Sequence, residues 1–219
     1  MRFTLRDRAN LYEKAFPKFE PLYISKSGRI EGLWIMGNDY RVKSGYYGGY
    51  PAGYLDRILS MFPDCEDILH LFSGKVEKRS EDEVTFDINP DRKPDVCGNA
   101  EELSAVIKHH SDESNHVSLK FDLVLADPPY SESDAERYGT IMIKRNTVVK
   151  ECFKVLRPGG FLVWLDQVFP MFRKEETPLI GSIYVREEFP EFKQVGEIGM
   201  IKSTNHRVRA VFIFQKGEK

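Results

Sequence analysis

Four short apolar runs recur through the middle of the chain. They are DILHLFSG at about residues 67–72, EVTFDINP near 83–88, FDLVLADPPY from 121 and FLVWLDQ from 161. Between them, AEELSAVIKHH and most of DAERYGTIMIKRNTVVKECFKVL repeat apolar residues at helical spacing, and RPGG at 157–160 ends the second helix. Strands that are apolar along their whole length are buried on both faces. Short buried strands separated by helices build a parallel, doubly wound α/β sheet. The tail breaks this rhythm: FKQVGEIGMIKSTNHRVRAVFIFQK reads as two strands around a tight polar turn, a C-terminal antiparallel hairpin.

The N-terminal part is different in kind. Residues 1–20 are amphipathic and charged, and LYISKSGRIEGLWIM predicts two short strands around a Ser-Gly turn. A glycine- and tyrosine-rich loop follows. From Ala52, Tyr54, Leu55, Ile58, Leu59 and Phe62 fall on one helical face, and Pro63 closes the helix. We divide the chain into an extension, 1–45, and a main domain, 46–219. The extension is either a lid on the sheet or a small substrate-binding appendage. Residues 170–190 receive no assignment.

Apolar residues make up 41% of the chain, enough to fill one sizeable core. Net charge is -2, from 32 basic and 34 acidic residues, so a polyanion site has to be a local patch. Cys65, Cys97 and Cys152 are far apart and lack metal-ligand spacing, which predicts reduced thiols, no metal and a cytoplasmic setting. The charged N-terminus has no apolar core of the signal-peptide kind, and no apolar run approaches the ~18 residues of a membrane span.

In open parallel sheets, ligands bind beyond the carboxyl ends of the strands. Those ends carry Ser73 and Gly74, then Asp87, then Asp127, Pro128, Pro129 and Tyr130, then Asp166 and Gln167. Gly74 allows close backbone approach, with nearby N–H groups able to hold a carboxylate; an ordinary turn is the alternative. Asp87 suits the two hydroxyls of a ribose, or is a solvated turn acid. With no repeated-glycine pyrophosphate loop, a nucleoside-type cofactor fits better than a dinucleotide. The Asp-Pro-Pro-Tyr word is the sharpest signal, expected by chance on the order of once in a thousand such chains. A carboxylate and the Pro128 carbonyl can each accept one N–H of an exocyclic amine. That frees the nitrogen lone pair for in-line attack on a methyl-sulfonium carbon. Paired prolines stiffen that carbonyl, and Tyr130 offers a ring on which a planar base can stack.

On these residues the chain resembles the S-adenosylmethionine-dependent amino-methyltransferases, the group that holds the DNA adenine-N6 and cytosine-N4 enzymes and some RNA methyltransferases. DPPY after FDLVLA is similar to the catalytic motif and ILHLFSG to the first cofactor motif. FDINP resembles the ribose motif, DVCGNAEEL the adenine segment, and VLRPGGFLVW the helix-turn-strand after catalysis. The resemblance covers about residues 45–215. It implies a Rossmann-like class I methyltransferase fold with a mostly parallel doubly wound sheet. It also implies S-adenosylmethionine as cofactor and a catalytic set of Asp127, Pro128, Pro129 and Tyr130. The cofactor residues it implies are Tyr46, Tyr47, His70, Phe72, Ser73, Gly74, Asp87, Ile88, Asn99 and Ala100. Two positions depart from the pattern. His70 stands where the family has an acid, and Val76 where it has a second glycine; His70 is then either a satisfied core histidine or part of the altered pocket.

The expected reaction is methylation of adenine N6 in DNA, with an RNA adenine or guanine amino-methyltransferase as one alternative. A catalytically inactive methyltransferase-fold binding module is another. The expected partner is therefore nucleic acid. Two features are candidates for holding it. Lys202, His206, Arg207 and Arg209 at the hairpin turn form a phosphate patch, unless alternation turns Arg209 aside; a solvated hairpin turn is the alternative. SESDAERYGTIM, with Arg137 and Tyr138, forms a mobile loop closing over a flipped base.

Overall fold

The computed structural model describes residues 3–37, 49–113, 118–168, 192–202 and 208–218. Helix α1 (Leu5–Ala15) starts at a capping box in which Thr4 and Asp7 bond each other's backbone N–H. Strands β1 (Tyr23–Ile24) and β2 (Ile30–Met36) follow, and then α2 (Tyr54–Met61). The alternating part comprises β3 (Ile68–Leu71), β4 (Glu83–Asp87), β5 (Val96–Cys97), α3 (Leu103–Glu113), β6 (Phe121–Ala126), α4 (Glu132–Tyr138), α5 (Arg145–Val155) and β7 (Leu156–Asp166). The hairpin is β8 (Phe192–Lys202) and β9 (Val208–Lys216).

The nine strands of the described residues form one sheet, ordered β1-β2-β8-β9-β7-β6-β3-β4-β5. From β7 through β6, β3 and β4 to β5 every pairing is parallel. Strand β9 runs antiparallel between β7 and β8. This is the expected doubly wound sheet with its terminal hairpin. Two cores cover its faces. Leu103 and Ile107 of α3 and Val148, Val149, Cys152 and Val155 of α5 pack on Leu69, Leu71, Val124 and Ala126. Tyr54, Ile58 and Met61 of α2, with Ala9 and Tyr12 of α1, pack on Ile68, Leu123 and Leu125. Successive strand residues thus feed opposite cores, so β6 from Leu123 to Ala126 and β7 from Phe161 to Leu165 are apolar without a break, while β3 and β4 also bury His70, Glu83 and Thr85.

The extension is built into this sheet. Strand β2 pairs with β8 over Ile30 to Met36. The Arg8 guanidinium, fully buried between the rings of Phe62 and Phe161 at 4.8 and 4.6 Å, bonds both oxygens of Asp64. Removing one partner of such a pair costs about 3–5 kcal/mol.

Two local expectations change. The helix expected from residue 134 is two helices: Gly139, at φ 70°, caps α4, and α5 begins only at Arg145. Hence the segment expected to be a mobile loop is mostly helical, entered through a Ser131 cap on the Asp134 N–H. Second, RPGG lies inside β7 rather than before it. The β6–β7 ladder shifts register between Phe121 and Leu123, and the bulge absorbs those residues.

Candidate functional site

The turn after β3 is tight. Phe72 and Gly74 have φ of 61° and 56°, a left-handed conformation that glycine takes freely and a bulky ring resists. Phe72 meets Trp164 edge-on, which holds that backbone in place. The Gly74 N–H donates to Asp87 Oδ2 at 2.8 Å, and the Asn89 N–H to Oδ1 at 2.9 Å. The carboxylate at the end of β4 therefore ties two turns together. An ionised carboxylate has about four acceptor sites, so Asp87 can still receive hydroxyls. The Gly74 N–H, expected to await a ligand carboxylate, is already committed, as is the Ser73 N–H to the Phe86 carbonyl. Ile88 is an exposed apolar side chain beside Asp87. Asn99 uses Oδ1 to cap the Glu101 N–H, and Ala100 is buried behind it.

His70 points to the α2 side of the sheet. Its Nε2 lies 3.1 Å from Glu83 Oε2, with both side chains buried, and the ring of Tyr50 stands edge-on at 6.4 Å. The histidine is half-satisfied, because Nδ1 is buried with no hydrogen-bond partner among the described residues. The same is true of Ser73 Oγ.

The Asp-Pro-Pro-Tyr corner follows β6. Pro128 and Pro129 are buried, while Asp127 and Tyr130 keep a partial solvent face. The Tyr130 hydroxyl donates a short hydrogen bond to Asp127 Oδ1. Burial above all, with Asp166 adding to it, raises the Asp127 carboxyl to about 7, against the opposing pull of Tyr130, Arg209 and Lys202. Burial likewise pushes the phenols of Tyr130, Tyr50 and Tyr54 well above their usual range. The corner is thus an acid poised to change charge near neutral pH, ringed by three tyrosines and two cations.

The sequence did not single out several of these neighbours. Arg209, whose orientation the sequence left open, has its guanidinium 4.4 Å from the centre of the Tyr130 ring. Its alternation follows buried Val211 and Ile213, which face the α2 side. Tyr50 donates weakly to the Leu125 carbonyl and stacks on Tyr54 at 5.2 Å. Arg145 grips buried Asp166 with Nε at 2.7 Å and Nη2 at 3.2 Å, and Nη2 also reaches the Tyr130 carbonyl at 3.1 Å. Asp166 takes further bonds from Trp164 Nε1 and the Gln167 N–H. Strand-end position marks Asp166 in the sequence, though not its partners. Nothing local could have flagged Arg145, 21 residues before it.

Lys202 ends β8 and acts electrostatically on Asp127. Arg137 is exposed and lines an open cleft of about 360 Å³ with Ser131, Ser133, Asp134, Gln167 and Val208; Tyr138 closes α4. Tyr46, Tyr47, His206 and Arg207 lie outside the described residues. Among the described residues no cluster of metal-ligating side chains occurs, and no helix is long and apolar enough to cross a membrane.

No family model matches the sequence, and neither does any curated protein. Solved structures with a similar fold include TrmN from Thermus thermophilus, at 13% identity and TM-score 0.35, with 68% of this chain and 43% of that one covered. The Thermus thermophilus 16S rRNA N2 methyltransferase RsmC, in complex with AdoMet and guanosine, aligns at 14% identity and TM-score 0.34 over 68% and 37% of the two chains. The CurJ carbon methyltransferase aligns at 12% identity and TM-score 0.42 over 74% and 52%. This chain therefore spans less than half the length of the first two. Likenesses this distant transfer no substrate, cofactor or activity.

Proposed function

We propose that the protein transfers a methyl group from S-adenosylmethionine to an exocyclic amino group of a nucleic-acid base, adenine N6 in DNA before an RNA amino group. One observation carries this: a rigid Asp-Pro-Pro-Tyr corner closes β6, one strand from the turn where Asp87 meets Gly74, and its acid titrates near neutrality. The cofactor set is His70, Phe72, Ser73, Gly74, Asp87, Ile88, Asn99 and Ala100, with Tyr46 and Tyr47 added from the resemblance. Asp87 would take the ribose hydroxyls and Ile88 one face of the adenine. The orphaned Nδ1 of His70 and Oγ of Ser73 suit a polar ligand at this turn.

S-adenosylmethionine supplies a methyl on sulfonium sulfur, whose leaving group is a neutral thioether. The chain's part is geometric and electrostatic. Asp127 accepts one N–H of the target amine and the Pro128 carbonyl the other, so the lone pair is withdrawn from the base ring. The C–N bond forms as the C–S bond breaks. The proton shed by nitrogen passes to Asp127 and then to water. Asp127 can take the amine N–H on the acceptor sites that the Tyr130 hydroxyl, bonded to Oδ1, leaves free, with the Tyr130 ring as a stacking platform. Lys202, with His206 and Arg207 beyond it, supplies the phosphate patch, and Arg137 and Tyr138 the flanking contacts.

Labelled S-adenosylmethionine incubated with unmodified DNA or RNA, followed by nucleoside analysis, tests this. Labelled N6-methyladenosine of the deoxy series supports it. Label in a ribonucleoside moves the reading to RNA, and calorimetry showing no cofactor binding overturns it. Arg145 enters as a positioning residue for Tyr130. Arg145→Gln should lower turnover by about 10–100-fold with S-adenosylmethionine affinity unchanged, and Arg145→Lys should fall between the two. An equal loss in cofactor affinity would mark a general structural role.

A further inference from the structure

We infer that Arg209 is a displaceable stand-in for the target base. Its guanidinium covers the face of Tyr130 on which a base stacks. A nucleotide enters by pushing it off that ring with its base and holding it with its own phosphate, so a free nucleoside is a poor guest. This deepens the proposed function and rests on it.

The guanidinium carbon lies 4.4 Å from the centre of the Tyr130 ring, inside the reach of about 6 Å for a cation over an aromatic face. Offset-stacked rings sit with their centres about 4.5–7 Å apart, so a base on this face needs the room that Arg209 fills. The covered face looks toward the acid, because Arg209 acts electrostatically on both Tyr130 and Asp127. Little else holds the side chain there. Arg145 and Arg8 show how this chain fixes an arginine, each with two nitrogens on one carboxylate. Arg209 has no such fork among the described residues, and its buried Nε has no hydrogen-bond partner there. A ring contact is weaker than a charge-assisted fork, so this arginine is the one free to leave.

Charge adds a second argument. Methyl transfer carries the positive charge of the sulfonium onto the amine nitrogen beside Asp127. A further cation at the Tyr130 ring opposes that charge. The placement that favours an ionised Asp127 before the base arrives therefore opposes the reaction afterwards. The backbone cannot carry the guanidinium away, because Arg209 pairs with Met200 of β8 and the next residue with Asp166 of β7. The side chain turns instead, toward the rim where Lys202 ends β8. There the phosphate of the entering nucleotide offers two oxygens to a planar fork, and the orphaned Nε gains a partner. The base pushes and the phosphate pulls, and only a nucleotide supplies both.

The test titrates two probes into parent and Arg209→Ala, with S-adenosylhomocysteine filling the cofactor pocket. One is a free adenine nucleoside; the other is a short single-stranded oligoadenylate of the same sugar, deoxy or ribo as the labelling experiment directs. The variant should bind the nucleoside about two- to tenfold more tightly, because no guanidinium has to be moved. It should bind the oligonucleotide about three- to thirtyfold more weakly at low salt, and the slope of log affinity against log salt should flatten by about 0.7, the share of one single-strand phosphate. Arg209→Gln, which keeps more of the stem and no charge, should repeat both changes. Weakening of both probes together, an unchanged nucleoside, or an unchanged salt slope overturns the inference and leaves the methyltransferase reading standing. A parent protein that binds S-adenosylhomocysteine but neither adenine probe overturns the inference and the nucleic-acid substrate with it. One that does not bind S-adenosylhomocysteine overturns the proposed function itself.

Discussion

Asp127→Asn should lose methyl transfer by about 10³-fold or more and yet unfold at a higher temperature than the parent at pH 8. The first half follows from chemistry. An amide still accepts a hydrogen bond, but it carries no charge to stabilise nitrogen as it becomes cationic and cannot take its proton; a positioned acid or base contributes about 10²–10⁴-fold. The second half follows from linkage. The Asp127 carboxyl titrates at about 7 in the folded protein against an ordinary value of 3.8. Its folded form therefore binds a proton that the unfolded chain releases. The stability this confers is fully present below about pH 4 and is lost as pH rises through 7. Above 7 the fold carries a charge it holds poorly, and asparagine removes it. Because Asp127 keeps a partial solvent face, the gain should be about 1–3 kcal/mol, and several degrees in Tm for a domain of this size. Thermal melts at pH 8 and pH 5 check it: the advantage should shrink at the lower pH. A variant less stable than the parent at both values would mean that the carboxylate is paired rather than stranded.

The second large effect is on the rate itself. Only ionised Asp127 accepts an amine N–H, so kcat/KM should fall about tenfold per pH unit below 7 and level off above it. Arg209 and Lys202 hold the carboxyl down. Arg209→Ala should therefore move that limb to higher pH while the plateau, reached later, persists. A profile flat from pH 5 to 9 would remove Asp127 from the chemistry, whatever the stability data show.

Both expectations turn on contacts of very different legibility. The strands could be read because β6 and β7 are buried on both faces over continuous apolar runs that end in polar residues, and β3 over a short run broken only by His70. The corner could be read because Asp-Pro-Pro-Tyr is a local word. Its surroundings could not. Tyr50 reaches Leu125 across 75 residues, and Arg145 reaches both Tyr130 and Asp166 only once α5 has docked. Glu83 carries no mark of its pairing with His70, 13 residues earlier on the neighbouring strand. The helix over 134–156 was misjudged where a glycine in a left-handed turn outweighed apolar periodicity. The RPGG turn was misjudged because a bulge lets a strand absorb proline and glycine.

The strands that carry Lys202 and Arg209 are gripped on both flanks, β9 by β7 and β8 by β2. A ribbon stitched along two seams cannot hinge like a flap. Among the described residues, admission of a bulky guest to the Tyr130 face then falls to the swivelling of side chains, Arg209 first among them, over a floor that stays still.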